Sequence, residues 1–445
     1  MIQRLAILWV LLGGSVLAAE FTQADRDWWA FQPVRQAAVP TAGGDWAINE
    51  IDHFIARRLA AQELSPATAA DRRTLIRRVC LDLTGLPPVP EQIAEFLDDD
   101  SRDAYERLVD RLLDSPRYGE GQATFWLDLV RYADSDGYKS DHYRPEAWRY
   151  RDYVIRSFNT DKPYDRFVSE QLAGDEIDPG NRDALIATMF LRHWIYEYNQ
   201  RDVETQWNDI LADVTNVTGD VFLGMGLQCA RCHDHKFDPI LQRDYYRMKA
   251  FFAPLLPRDS MPVGTVPQRT EFFRQHKAWA TVTGDIRRQL HAIEQPALLK
   301  NTTGEGFNKF IDKIKAMIRK RPQDRTAYER QIAELSERQF GVEPEKLPER
   351  LKGATREEWE RLRAELKSFE AQKPEALPRV KFVVSDAGPL APATRLPKTS
   401  DVVEPGFLSI LDPGSARITP PPAALQSTGR RTALAKWITS PDNPL

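Results

Sequence analysis

The sequence predicts a mainly α-helical fold, and three observations carry that expectation. Apolar residues recur at spacings of three and four through the region from Asp71 to Phe222. Asp, Ser and Pro stand immediately ahead of these stripes, where helices start. Alternating β-branched residues are confined to one short stretch near the C-terminal end, Val380-Lys381-Phe382-Val383-Val384, which reads as a strand in a small β- and Pro-rich segment.

In chain order, Asp71 caps a helix carrying Leu75, Ile76, Val79 and Leu83, and Thr84-Gly85-Leu86-Pro87-Pro88 stops it. Pro90-Glu91 opens a short helix through Ile93, Phe96 and Leu97. Asp103 starts another, with Tyr105, Leu108, Val109, Leu112 and Leu113 along one side. Ser115-Pro116 begins a helix striped by Phe125, Trp126, Leu129 and Val130. Further helices are expected over 146–158, 163–172, 183–194 and 203–222. From about 267 to 372 the chain is dominated by charge, which predicts long amphipathic, coiled-coil-like helices able to pair as an antiparallel hairpin; their mixed charges read as a solvated face.

A chain of 445 residues exceeds one ordinary core. The expected organisation is a signal peptide over 1–19, a linker over 20–45, a helical domain over 46–258, a charged helical insertion over 259–376, a β/Pro-rich segment over 377–430, and over 431–445 the start of a further domain that the chain does not include. The net charge of −4 gives no reason to expect a nucleic-acid partner.

The N-terminus combines a basic residue, Arg4, with an almost wholly apolar run from Leu5 to Leu17 and the small pair Ala18-Ala19. That order predicts a secretory signal, cleaved near Ala18 or Ala19, and hence a periplasmic or extracellular protein. The run is shorter than the roughly 20 residues of a membrane span. An uncleaved N-terminal anchor is the alternative reading of the same residues, and no membrane association is expected beyond this segment.

Three cysteines are present. Cys80 falls in an apolar helical stripe and reads as a buried residue. Cys229 and Cys232 belong to Cys229-Ala230-Arg231-Cys232-His233, the pattern of covalent c-type haem attachment. Two thiols at this spacing reach the two vinyl groups on one edge of the macrocycle, and His233 then lies under the iron as axial ligand. The sixth position would be open or filled by Met225, His235, Met248 or His142. Two other chemistries use the same residues. Cys229, Cys232, His233 and His235 could bind zinc or iron with help from Asp238 and the acidic residues Asp209, Asp213 and Asp220, or His233, His235 and Asp238 could hold a divalent metal; a plain disulfide could instead join the two thiols.

A second polar cluster lies at Asp134-Ser135-Asp136-Gly137-Tyr138-Lys139-Ser140-Asp141-His142. Asp134, Asp136, Asp141 and His142 are candidate ligands of a hard cation, although the early glycine and the missing terminal Glu exclude an EF-hand. A turn capping the next helix explains the same composition. Trp126, Arg131, Trp148, Arg149 and Arg151 nearby are candidates to line a pocket.

Several stretches together resemble an exported, cytochrome-associated domain of unknown function found in planctomycete-type bacteria. They are Asp71-Arg-Arg-Thr-Leu-Ile-Arg-Arg, Leu81-Asp-Leu-Thr-Gly-Leu-Pro-Pro, Tyr105-Glu-Arg-Leu-Val-Asp-Arg-Leu-Leu, Trp126-Leu-Asp-Leu-Val-Arg-Tyr-Ala-Asp-Ser, Trp148-Arg-Tyr-Arg-Asp-Tyr-Val-Ile, Asp161-Lys-Pro-Tyr-Asp-Arg-Phe and Cys229-Ala-Arg-Cys-His-Asp-His-Lys-Phe-Asp-Pro. The likeness covers about 46–255, and 433–445 resembles the start of the partner domain that usually follows. The resemblance implies secretion and a haem-linked role, and it supplies no reaction. The expected function is therefore an exported c-type haem protein, working in electron transfer or haem redox chemistry with a redox partner protein. A metal-dependent hydrolase or lyase acting on polysaccharide-like polymers, with a carboxylate of the 134–141 loop as base, is the second reading. A structural protein stapled by Cys229–Cys232 is the third.

Overall fold

Asp71 accepts the backbone N–H of Thr74 at 2.9 Å and so begins a helix at Arg72, which Gly85 ends in the left-handed conformation (φ 70°). The same local rules set many of the boundaries in the computed structural model, which describes residues 21–303, 306–421 and 426–445. The expected signal peptide over 1–19 lies outside the described residues.

The fold is mainly α-helical, as its periodicity predicts. The first helices are α1 (Gln23–Arg26), α2 (Glu50–Ala60), α3 (Arg72–Thr84), α4 (Pro90–Asp98), α5 (Ala104–Leu113) and α6 (Pro116–Leu129). Next come α7 (Trp148–Asn159), α8 (Tyr164–Ile177), α9 (Arg182–Ala187), α10 (Val203–Thr218) and α11 (Gln242–Phe252). The charged stretch forms α12 (Val266–Val282), α13 (Gly284–Lys300), α14 (Asp312–Arg319), α15 (Ala327–Glu337), α16 (Leu347–Arg350) and α17 (Gly353–Ser368), and the last helix is α18 (Arg430–Ile438). The helix expected over 183–194 changes to a tighter 3₁₀ turn over Thr188–Arg192.

Strands are short. β1 (Leu255–Arg258) pairs antiparallel with β4 (Val383–Asp386), β2 (Met261–Pro262) with β3 (Arg379–Val380), and β5 (Thr394–Arg395) with β6 (Val402–Val403). The strand expected from Val380 is interrupted because Phe382 turns left-handed (φ 60°) between β3 and β4.

A main core gathers Tyr150, Phe167, Leu172, Phe190, Trp207 and Phe251 with Phe310, Ile332, Val383 and Leu434. It thus draws on α14, α15, β4 and α18 as well as on the helices before Phe252. The charged stretch is divided accordingly. Helices α14 and α15 turn apolar faces into this core, whereas α13 and α17 meet over a small separate cluster of Ile286, Leu290 and Leu362. A third cluster, Ile76, Val79, Cys80, Phe96, Leu108 and Leu112, holds α3, α4 and α5 together. Among the described residues no helix is long and apolar enough to cross a membrane.

Helix α18, over the segment expected to open a further domain, is anchored by a buried charge cluster. Arg431 is fully buried, donating to both oxygens of Asp175 (2.7 and 2.8 Å) and to Asp386 (3.0 Å), with Glu176 at 3.4 Å. The Thr432 backbone N–H and hydroxyl both donate to Glu176 Oε2, at 2.7 and 2.6 Å.

Candidate functional site

The Cys229–His233 segment hangs from the end of α10. That helix widens into a π-helical turn, Gly219–Leu223, and Gly224 reverses the chain with φ 60°. Gly219 permits the reversal: a Cβ there would stand 2.6 Å from Leu227 Cγ and 2.8 Å from the Met225 carbonyl. A 3₁₀ turn, Gln228–Arg231, follows, seated by the fully buried side chains of Leu227 and Ala230.

In a 3₁₀ turn residues three apart eclipse one another, so Cys229 and Cys232 share one side. Both are exposed, and neither is in a disulfide. Helix α11 clamps the turn from beneath: Gln242 Nε2 and the Tyr246 hydroxyl both donate to the Arg231 carbonyl at 3.2 Å. The Arg231 side chain pairs with Asp209. Asp234 accepts the backbone N–H of Gln242, the first residue of α11, at 2.8 Å.

The two histidines are held in opposite ways. His233 Nδ1 lies 2.8 Å from the Asp234 carbonyl, so that nitrogen is the donor and Nε2 keeps its lone pair. His235 Nδ1 accepts the backbone N–H groups of Asp238 (2.8 Å) and Phe237 (3.3 Å), which puts its proton on Nε2. His233 is therefore arranged as a metal ligand is, with its other nitrogen on a carbonyl, and His235 holds a turn. Asp238 lies 3.3 Å from His235 Nδ1. Phe237 is 82 % exposed, with the Lys236 ammonium over its ring.

Residues 50–256 match the family described as PSCyt2, a protein of unknown function (DUF1549). The matched region contains the whole Cys229–Asp238 segment and the helices α10 and α11 that hold it. No curated protein and no solved structure matches the chain.

The 134–142 cluster is a self-contained loop in which each carboxylate has a protein donor. Asp136 is buried against Arg144 (2.6 Å) and accepts the Tyr198 hydroxyl at 2.5 Å. Asp134 accepts from the Tyr132 hydroxyl at 2.6 Å. Asp141 accepts the Gly137 N–H at 2.9 Å, and its bond with Ser135, then that with Gly137, holds its carboxyl below the usual range. The His142 ring lies tilted against that of Tyr198, with centroids 3.9 Å apart. Among the described residues no group of three or more His, Cys, Asp or Glu could hold a metal ion, so Asp134, Asp136, Asp141 and His142 are not gathered into such a group with His233, His235 and Asp238.

The other candidates have structural partners. Met248 is fully buried, and Met225 packs against the main core. Trp126 donates to the Tyr150 hydroxyl and to Gln171, both at 3.1 Å. Arg131 pairs with Asp213 (2.7 Å), Arg149 with Glu146, and Arg151 with Asp152 (2.9 Å). Burial raises the carboxyl of Asp220.

Two features beneath the turn escape a periodicity argument. One is the clamp from Gln242 and Tyr246. The other is Lys249, buried, donating to Asn208, its amine pushed down to about 8 by burial and then by Arg231. The available signal is weak: α11 reads Asp244-Tyr-Tyr-Arg-Met-Lys-Ala-Phe-Phe252, charged residues interleaved with aromatics and no clear polar face.

Proposed function

We propose that this protein carries a covalently attached c-type haem on Cys229 and Cys232, with His233 as axial ligand, and serves electron transfer or haem redox chemistry outside the cytoplasm. The observation that carries this reading is the turn itself: two exposed thiols on one side, followed by an imidazole whose Nε2 is open. When bound, such a haem supplies one-electron chemistry. The chain's own part is to present the thiols at the surface, to fix the His233 ring through the Asp234 carbonyl, and to brace the turn on α11. The polar, exposed residues around it suit contact with a redox partner protein or entry of a small substrate.

The same reading takes the leader as cleaved near Ala18 or Ala19, and intact Met1 in the mass of secreted protein would count against that cleavage. It also takes 433–445 as the opening of the partner domain that its sequence resembles, with α18 bridging the two. The deciding experiment expresses the exported chain with haem-maturation machinery. Pigment that survives denaturing electrophoresis and disappears in Cys229→Ser/Cys232→Ser is the expected result. A double variant that keeps full activity and binds a divalent metal would replace this reading with the hydrolase one.

A further inference from the structure

Where β1 gives way to β2, arginines outnumber the carboxylates near them. Arg258 closes β1, and Arg379 stands opposite Pro262 on β3. Arg330 and Arg338 reach in from α15 and the turn after it, and Arg192 from the 3₁₀ turn after α9. Asp259 and Glu334 lie within electrostatic reach of Arg192, Arg258 and Arg338, and Arg330 and Arg379 lie within reach of Arg258. Asp259 Oδ1 accepts from Arg192 (3.0 Å) and from Arg338. Burial raises the Glu334 carboxyl, with Arg338 opposing. Its nearest approach to Arg338 is 3.9 Å.

The donors are far from spent. Arg330 gives one bond, to the Ala387 carbonyl (2.7 Å), and Arg379 is turned onto Ser260. The buried Nε atoms of Arg192, Arg330 and Arg338 have no hydrogen-bond partner. Arg192 itself is 1 % exposed. Arg258 makes no side-chain hydrogen bond or ion pair among the described residues, and its electrostatic neighbours are Glu334, Arg379, Arg330 and Asp259. Guanidinium groups stay protonated in proteins, so the surplus is real positive charge with unused planar donors. Arg258 and Arg379 are exposed, which opens the cluster to solvent.

We propose that this ribbon corner is a binding site for a tetrahedral oxyanion, a sulfate or phosphate group free or in an ester, gripped by Arg258 and Arg379 over the field of Arg192, Arg330 and Arg338. Arginine suits this ligand because its fork matches two oxygens at once. The anion would neutralise repulsion that the fold otherwise retains. The site stands independently of the haem.

The test titrates the full chain with sodium sulfate and, separately, sodium phosphate, each against sodium chloride at matched ionic strength. It follows thermal unfolding and the ¹⁵N resonances of the arginine side chains. Saturable stabilisation by one or both oxyanions, with the Arg258 Nε resonance moving, is the expected result, and the tighter of the two names the source. Arg258→Ala should weaken that binding at least tenfold. Equal effects of chloride and oxyanions would overturn the proposal. So would an unchanged oxyanion response in Arg258→Ala.

Discussion

The Cys229–Asp238 segment and the cluster around Arg431 treat polar chemistry in opposite ways. The first keeps its thiols and the His233 ring at the surface, on a turn held by Leu227, Ala230, the Arg231–Asp209 pair and the clamp from α11. The second removes three carboxylates and one guanidinium from water altogether. Groups on an exposed turn are free to take a ligand and contribute little to folding. Groups in the interior must satisfy one another, and any that do not are held at a cost. The difference separates residues kept for chemistry from residues kept for architecture, and it can be tested from both ends.

The largest effect is expected at Arg431. Arg431→Met leaves Asp175, Glu176 and Asp386 buried without their cation, which should cost about 3–5 kcal/mol. Urea unfolding followed by far-UV circular dichroism measures it. A midpoint equal to the parent's would mean that α18 is not anchored by this pair.

Next comes pH. Burial is the largest influence on Glu176 and pushes its carboxyl up to about 7 from 4.5; Arg431 pulls the other way, and the negative charges of Asp386 and Asp175 add to the rise. A raised carboxyl binds its proton more tightly when folded than when unfolded. Its contribution is therefore present below pH 4.5 and is lost as pH rises towards 7. At about 1.4 kcal/mol per pH unit the span is roughly 3 kcal/mol. Glu176→Gln mimics the protonated form and should gain stability relative to the parent across this window. Parallel stability–pH curves for the two proteins would refute the assignment.

A third effect concerns the backbone that brings these carboxylates in. Helix α8 is kinked at Ala173 (φ −147°), and a Cβ on Gly174 would lie 2.0 Å from the Ala184 carbonyl oxygen. Gly174→Ala must part α8 from α9, at about 1–3 kcal/mol. Calorimetry would detect it, and a loss under about 0.5 kcal/mol would show that the two helices yield freely.

What was legible in the sequence follows the same division. The caps at Asp71 and Ser115, the stop at Gly85 and the buried Cys80 depend on neighbours within one or two turns, and each is found where local reasoning puts it. Cys229 to His233 is contiguous, so its pattern survives without knowledge of the fold. Arg431 and Asp175 lie 256 positions apart, and no local pattern links them. The arginines of α15 look like a solvated face in the sequence, yet Arg330 and Arg338 turn towards the ribbon because Ile332 and Leu335 on the same helix are drawn into the main core. The break at Phe382 is equally silent, since a β-rich stretch carries no sign of one left-handed residue.

The smallest expected effect is the sharpest test of the comparison. Cys229→Ser/Cys232→Ser exchanges two exposed thiols for hydroxyls of similar size, with no disulfide to lose. Exposed substitutions away from caps and buried contacts stay within about ±0.5 kcal/mol. The haem-free double variant should therefore unfold at the parent's urea midpoint, while the covalent pigment expected of the matured parent is absent. The thiols would then be dispensable for the fold and required for the cofactor. A destabilisation of 2 kcal/mol or more, about the contribution of a native disulfide, would instead mean that the pair is a staple in solution, and the contrast between a surface kept for chemistry and an interior kept for structure would fail at this turn.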